Sequence, residues 1–139
     1  MFVKQLSVFI ENREGRLEQV TGCLSEKGIN ILALSMADTQ EFGILRMIVS
    51  APEKALEALK EKGFSAKLTD VLAVRMEDKP GQLHQITHIL CTKQVNIEYM
   101  YSMATTERLA IIVKASDGEK AEEALTEGGL KVYGEQEMN

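Results

Sequence analysis

The sequence predicts an α+β protein in which one strand–helix–strand–strand–helix–strand unit occurs twice. The first observation is a repeat: 11 of the 26 positions in the stretch 6–31 carry the same residue at the matching positions of the stretch 72–97. The second is that, in each half, apolar residues alternate as in strands and then change to the spacing of helices. We therefore expect two domains, residues 1–69 and 70–139.

The first copy begins with alternating apolar residues over 6–10, which predict a first strand. Leucine and valine at i, i+3 and i+7 over 17–24 predict an amphipathic helix, which ends near Gly28. Two further apolar segments, 29–36 and 45–49, predict the second and third strands of this copy.

A second helix and a fourth strand complete the copy. Pro52 suits the first helical position, where its missing N–H has no partner to lose, and Gly63 ends the helix. Residues 64–68 predict the last strand. The second copy repeats the series, with strands at 72–76, 95–103, 109–113 and 130–133, a first helix over 83–90 and a second helix that ends at Gly129.

This element order is that of the ferredoxin-like, or split βαβ, fold. Right-handed crossovers place both helices of a copy on one face of a four-stranded antiparallel sheet. Only Thr69 and Asp70 join the copies, which holds them close. Because two-fold pairing uses the same surface twice, the repeat leads us to expect the copies to pair side by side through their second strands. The predicted result is one eight-stranded antiparallel sheet with four helices on one face.

Composition excludes several classes of function. The 139 residues are 45% hydrophobic and carry a net charge of −5 without a basic stripe, which argues against a nucleic-acid partner. A membrane span needs about 20 consecutive apolar residues, and no run approaches that length. The first residues do not have the pattern of a secretory signal, so we expect a cytoplasmic protein with no membrane partner. Cys23 and Cys91 are expected to be reduced residues in or near the core.

The turn between the first strand and the first helix is the candidate functional segment of each copy. It comprises residues 12–17 and 78–83, with glycine immediately before the helix in both. A glycine there lets a ligand approach the free amide groups of the helix start, which can hold a carboxylate. Asn12 and Asp78 carry oxygens that can either cap the helix or accept a hydrogen bond from an ammonium group.

Asparagine also opens each predicted second strand, at Asn30 and Asn96, where this residue is otherwise disfavoured. Together with the loops, these amides would suit a zwitterion. A turn glycine, a helix cap and a turn asparagine are each ordinary structural features as well. The combination carries more weight because it occurs twice.

Residues 78–83, followed by a helix and by Val95-Asn96-Ile97, resemble the ACT domain family, and residues 12–17 with Ile29-Asn30-Ile31 are similar to it too. ACT domains are regulatory modules that bind amino acids at the interface of two paired domains. They are usually attached to enzymes of amino-acid metabolism, such as phosphoglycerate dehydrogenase. The resemblance implies a non-catalytic, allosteric sensor of a free amino acid, which would act in trans on an enzyme of amino-acid metabolism.

The resemblance also implies that the loop of one domain and the second strand of its partner share the ligand. Carried over to this sequence, the binding residues are Asn12, Glu14 and Gly15 facing Asn96, and Asp78, Pro80 and Gly81 facing Asn30, with Arg16, Leu17, Gln82 and Leu83 at the helix starts. Glu14 replaces the usual proline and Asp78 the usual asparagine. Ile10 and Met76 stand where serine-binding members have a histidine.

Two other functions stay open at this point. The chain could be an assembly protein whose domains pair without a ligand, or a small ferredoxin-like enzyme. No nucleophile and base with suitable spacing support catalysis, so we expect no catalytic residues and no cofactor. His84 and His88 have a spacing compatible with metal ligation but lack a third ligand, so we expect solvent-facing residues and no metal.

We also expect a homodimer. By alternation, Ile44 and Ile48 share the sheet face opposite the helices, and Ala110 and Ile112 occupy the matching positions of the second copy. An exposed apolar face of that extent usually marks an interaction site. We therefore expect sheet faces to take part in the assembly.

Overall fold

The computed structural model describes residues 1–38 and 41–138. They form two compact units, which we call the first unit (Lys4–Thr69) and the second unit (residues from Asp70 onward together with Met1–Val3). Four α-helices and seven strands occur in the described residues.

The first unit is a sheet of four strands, in the order β2-β3-β1-β4, with two helices. Its elements are β1 (Val3–Glu11), α1 (Arg16–Glu26), β2 (Ile31–Asp38), β3 (Phe42–Val49), α2 (Pro52–Glu61) and β4 (Ser65–Arg75). Both β1 and β2 pair antiparallel with β3, so they run in the same direction. The end of β1 and the end of β2 therefore lie at the same end of the sheet.

The second unit repeats this arrangement in the order β7-β4-β6-β5. Its own elements are α3 (Gln82–Thr92), β5 (Ile97–Ala104), β6 (Leu109–Ala115), α4 (Gly118–Glu127), β7 (Val132–Tyr133) and a short 3-10 helix (Glu135–Met138). The chain start belongs to this unit because Phe2 packs against its core. The Phe2 ring leaves no room for a side chain at Gly118, where a Cβ would lie 2.8 Å from Phe2 Cε1.

Each unit has its own hydrophobic core between the sheet and its two helices. In the first unit, Leu6, Leu45 and Leu24 are fully buried in one cluster. Their counterparts Leu72 and Leu90 are buried in the cluster of the second unit, together with Val113. Most of the residues whose apolar periodicity predicted strands and helices therefore lie in the two cores, whereas Leu17 and Leu83 at the helix starts are exposed.

The expectation of eight strands is wrong for the described residues. The predicted last strand of the first copy and the predicted first strand of the second copy form one strand, β4 (Ser65–Arg75). This segment contains neither glycine nor proline, so nothing in it interrupts extended backbone. The expected pairing of the two second strands is also wrong for the described residues, because both are edge strands: β2 pairs only with β3, and β5 only with β6.

The expected exposed apolar face is also wrong. Ile48, Ala110 and Ile112 are at most 1% exposed within the single chain, and Ile44 is half-buried. These residues therefore do not mark a free surface on which a second chain of the protein could bind. Large apolar side chains that are exposed in the first unit lie elsewhere, at Phe9, Leu17, Leu34, Met36 and Phe42.

None of the helices in the described part of the chain combines the length and the apolar character needed to span a membrane.

Candidate functional site

Both candidate loops place glycine in the left-handed region directly before a helix. The φ angle is +84° at Gly15, before α1, and +87° at Gly81, before α3. Other L-residues adopt this region only with strain. Neither helix has a side-chain cap, so Asn12 and Asp78 do not play the capping role that the sequence left open. The amide of Arg16 donates to the carbonyl of Arg13 at 3.5 Å and that of Gln82 to Lys79 at 3.4 Å, so the amides that follow in each first turn are the ones open to another acceptor.

Each loop is braced by an ion pair that the sequence analysis missed. Glu11 and Arg13 are 2.9 Å apart, and so are Glu77 and Lys79, at the matching positions of the second copy. The amide of Arg13 also donates to the carbonyl of Glu11 at 2.9 Å, and that of Lys79 to Glu77 at 2.9 Å. The identity of the two glutamates in the repeat was a signal that could have revealed this brace. The hydrogen bond and the ion pair together hold a sharp bend of the chain at Asn12 and at Asp78.

Lys79 lowers the pKa of Glu77 through its hydrogen bond and its charge. We expect Lys79→Gln to return this pKa toward its ordinary value of 4.5. Because the pKa is depressed in the folded state, the contribution of the ion pair is present above the ordinary pKa and is lost as the pH falls through the depressed one. NMR titration of the Glu77 carboxyl measures the shift.

The matched control for this titration is Arg13→Gln, which removes the corresponding cation from the other loop. It should leave the pKa of Glu77 unchanged. If Lys79→Gln leaves that pKa unmoved as well, the brace of the second loop does not exist in solution.

The side chains at the two helix starts differ between the copies. Arg16 stacks its guanidinium 4.6 Å from the Phe64 ring centroid and donates to Gln19 at 2.6 Å. Its counterpart Gln82 is buried, accepts from the amide of Glu77 at 3.3 Å and donates to Gln85 at 2.9 Å. In the described residues, the second loop is therefore tied to its helix by the Gln82 side chain, whereas the first loop is tied to the residue before β3 by the bond from the Asn12 amide to the carbonyl of Glu41 at 2.9 Å.

The remaining predicted loop residues are open to solvent. Asn12, Glu14, Asp78 and Pro80 are exposed, and Leu17 and Leu83 are 37% and 44% exposed at the helix starts. Each loop thus presents an oxygen-bearing side chain, first-turn amides and one leucine on an accessible surface.

Asn30 and Asn96 are held by a reciprocal pair of hydrogen bonds with a serine. The amide of Asn30 donates to Ser50 Oγ at 2.9 Å, and the amide of Ser50 donates back to the carbonyl of Asn30 at 2.9 Å. The second copy repeats both bonds between Asn96 and Ser116, at 3.1 and 2.9 Å. These bonds use the backbone of each asparagine and both the side chain and the backbone amide of each serine. Neither serine was among the residues predicted from the sequence.

A single unit does not bring its asparagine and its loop together. Asn30 precedes β2, and residues 12–15 follow β1, which runs parallel to β2. The eight residues of β2 span about 25 Å at the usual rise of a strand. Asn30 and Gly15 therefore lie at opposite ends of the same sheet, and the second unit repeats this separation. One unit by itself therefore cannot present both groups to one small ligand.

The loop end of the sheet differs between the units at one exposed position of the second strand. Met36 Cε and Ile10 Cγ1 lie 3.8 and 3.6 Å from the position of a Cβ on Gly43. The residue of the second copy that matches Met36 is Ser102, which is exposed as Met36 is. The two units therefore differ in the polarity of this one side chain.

The histidines and cysteines add no further site. The rings of His84 and His88 are 5.8 Å apart, and no group of three or more potential metal ligands occurs in the residues that the structure describes. Both cysteines are free. Cys23 is buried as expected, but Cys91 is exposed, because it lies on the solvent side of α3.

A family description matches the whole chain, whereas the curated relatives match half of it. Residues 1–139 match the family described as ACT domain pair. The acetolactate synthase isozyme 3 small subunit of Escherichia coli K12 is 39% identical over 71 residues, which are 50% of this chain and 42% of that protein. The acetolactate synthase small subunit of Haemophilus influenzae is 37% identical over 71 residues, with the same shares. The chain thus spans less than half the length of these relatives.

Solved structures share the fold. The protein BT0572 from Bacteroides thetaiotaomicron is 39% identical, with a TM-score of 0.93 over 99% of this chain and 96% of that one. The regulatory subunit of aspartate kinase from Thermus thermophilus is 23% identical, with a TM-score of 0.62 over 90% and 91% of the two chains, which is a likeness of fold alone. Since the family description covers every residue of the repeat, the chain belongs to the ACT domain pair family.

Proposed function

We propose that this protein is a non-catalytic regulatory protein that senses a free amino acid at a site shared by two ACT domains. The observation that carries the proposal is the duplicated loop, with a left-handed glycine and an uncapped helix start in each copy. Neither the left-handed glycine nor the uncapped helix start requires an exposed asparagine or aspartate three residues before the glycine. Both copies have that residue, at Asn12 and Asp78.

The proposed chemistry follows from the groups at the loop. The carboxylate of the ligand accepts from first-turn amides of α1 or α3, where the helix dipole favours negative charge. The ammonium group of the ligand donates to Asn12 or Asp78. The amide of an asparagine from another domain, Asn96 or Asn30, completes the site. Asp78 carries a full charge and forms the stronger contact.

The same geometry supports a homodimer. The strands β2 and β5 are edge strands, and neither contains proline or lysine, which commonly protect an exposed edge. Leu34 and Met36 on β2 are nearly half exposed. If β2 of one chain pairs antiparallel with β5 of a second chain in the dimer, the start of each strand lies beside the end of the other. Asn96 of the partner then approaches the loop at Gly15, and its loop at Gly81 approaches Asn30.

The regulated partner is proposed to be an enzyme of amino-acid metabolism that is bound in trans. The relatives described as small subunits of acetolactate synthase support this class of partner. A ligand that lies between two domains can favour one arrangement of them over another. That difference in affinity is what transmits the signal to the enzyme.

Titration calorimetry of the protein against each of the twenty amino acids tests the proposal. We expect saturable binding of one amino acid or of a chemically related few. The double variant Asn12→Ala/Asp78→Ala, which keeps both glycines, is the matched control and should lose the signal. If none of the twenty amino acids produces a heat of binding, the result would favour the alternative, an assembly protein that pairs its edge strands without a ligand.

A further inference from the structure

A groove in the first unit extends away from the proposed amino-acid site and shares one predicted binding residue with it, Arg16. It has a volume of about 490 Å³ and lies along α1, beside the turn that leads from α2 into β4. Its walls include Arg16, Gln19, Gly22, Glu26, Lys62 and Phe64. The backbone amides of the candidate loop are proposed to hold the amino acid, whereas the side chains of α1 line this groove.

One wall of the groove is formed by a glycine in the interior of α1, and the second unit has a smaller matching groove of about 320 Å³ beside His88 and Gly128. A Cβ at Gly22 would meet nothing within 4 Å, so the packing of the chain does not require a glycine there. Glycine inside a helix lowers stability relative to alanine. The corresponding position of the second copy is His88, a full-sized side chain on the same turn of α3. The glycine therefore keeps space free along the groove at a cost to the helix.

The groove is positively charged at one end. The Nε atom of Arg16 is buried and has no hydrogen-bond partner among the described residues, and the guanidinium is held in place by Phe64 and Gln19. Lys62 adds a second cation to the lining. Arg16 and Glu26 are the first and last residues of α1, about 15 Å apart along its axis, so the Glu26 carboxylate does not neutralise this end.

These two cations are specific to the first copy. The residues of the second copy that match Arg16 and Lys62 are Gln82 and Gly128. The fold is therefore built in the second unit without either charge. A guanidinium pre-ordered by stacking suits the planar oxygens of a carboxylate or a phosphate.

We propose that this groove is a separate binding site for a small oxyanion. The charged group of the ligand contacts Arg16 and Lys62, and the rest of the ligand lies over Gly22. Amide NMR spectra of the full chain, titrated in separate experiments with inorganic phosphate and with succinate, test the site. We expect saturable shifts of the Gly22 and Cys23 amides. A response to phosphate alone identifies a phosphate site, and a response to succinate alone identifies a carboxylate site.

Two variants outside the proposed amino-acid site make the test specific. Lys62→Gln should weaken the oxyanion binding about tenfold, as expected for a charged hydrogen bond. Gly22→Leu fills the groove and should abolish binding, whereas His88→Leu at the matching position should not change it. Shifts that persist in both groove variants, or no saturable shift with either probe, would overturn the proposal. Because neither variant alters the loops, amino-acid binding should survive in both.

Discussion

Asp78→Ala should weaken amino-acid binding by about tenfold to 150-fold, which corresponds to roughly 1.5–3 kcal/mol for a hydrogen bond to a charged group. The reason is that Asp78 places a charged acceptor at the bend of its loop, beside an uncapped helix start, where the first loop has the neutral Asn12. The neighbouring charged residues, Glu77 and Lys79, pair with each other, so the Lys79 ammonium is not paired with Asp78. Titration calorimetry with the amino acid found in the screen measures the loss.

Asp78→Asn and Asn12→Ala are the matched controls for this variant. Asp78→Asn keeps an oxygen acceptor and removes the charge, so it should lose less affinity than Asp78→Ala. Asn12→Ala should affect the other, neutral site and lose less free energy of binding. If Asn12→Ala abolishes binding while Asp78→Ala binds as tightly as the parent, the stronger site is the first loop. Full affinity in both variants would make the loops purely structural.

Mixing two silent variants should restore amino-acid binding. One variant carries Asn12→Ala and Asp78→Ala, and the other carries Asn30→Ala and Asn96→Ala. Each lacks one half of every site, so neither should bind. In a mixed dimer, the intact loops of one chain meet the intact asparagines of the other. With random exchange of chains in a two-fold dimer, about a quarter of the parental sites should return.

The control for this experiment is the separate titration of each variant at the same total concentration. Light scattering shows whether the mixture is dimeric at micromolar concentration. A monomeric protein that binds amino acid with full stoichiometry would refute the role of a second chain. If the mixture is dimeric and still silent although the parent binds, loop and asparagine do not meet across two chains.

The elements of the fold could be predicted from the sequence because each depends on local periodicity. Residues 17–24 have the spacing of a helix whichever partner they meet, and α1 (Arg16–Glu26) contains them. The prediction of Pro52 at the first position of a helix is confirmed in the same way. The strand count failed at β4 (Ser65–Arg75), because a repeat shows where a unit recurs but not whether the backbone turns at the join.

The types of the candidate site residues could be predicted from the sequence, but the residues that they contact could not. The repeat of glycine before a helix identified both loops, and the left-handed backbone at Gly15 and Gly81 agrees with the reason for that choice. The partners of Arg16 and Gln82 could not be predicted. Phe64 is distant from Arg16 along the chain, beyond two strands and a helix, and only packing of the helix on the sheet makes them neighbours.

The sequence by itself determined the duplication, the family and the residue types of both loops, since these are written in local spacing and identity. The tertiary structure alone decided that Asn30 lies about 25 Å from the loop of its own unit, because the strand direction in a sheet depends on pairing with β3. It also decided that Ile48, Ala110 and Ile112 are buried. Alternation assigns a side chain to a face of a sheet, but only the folded chain determines whether that face is covered.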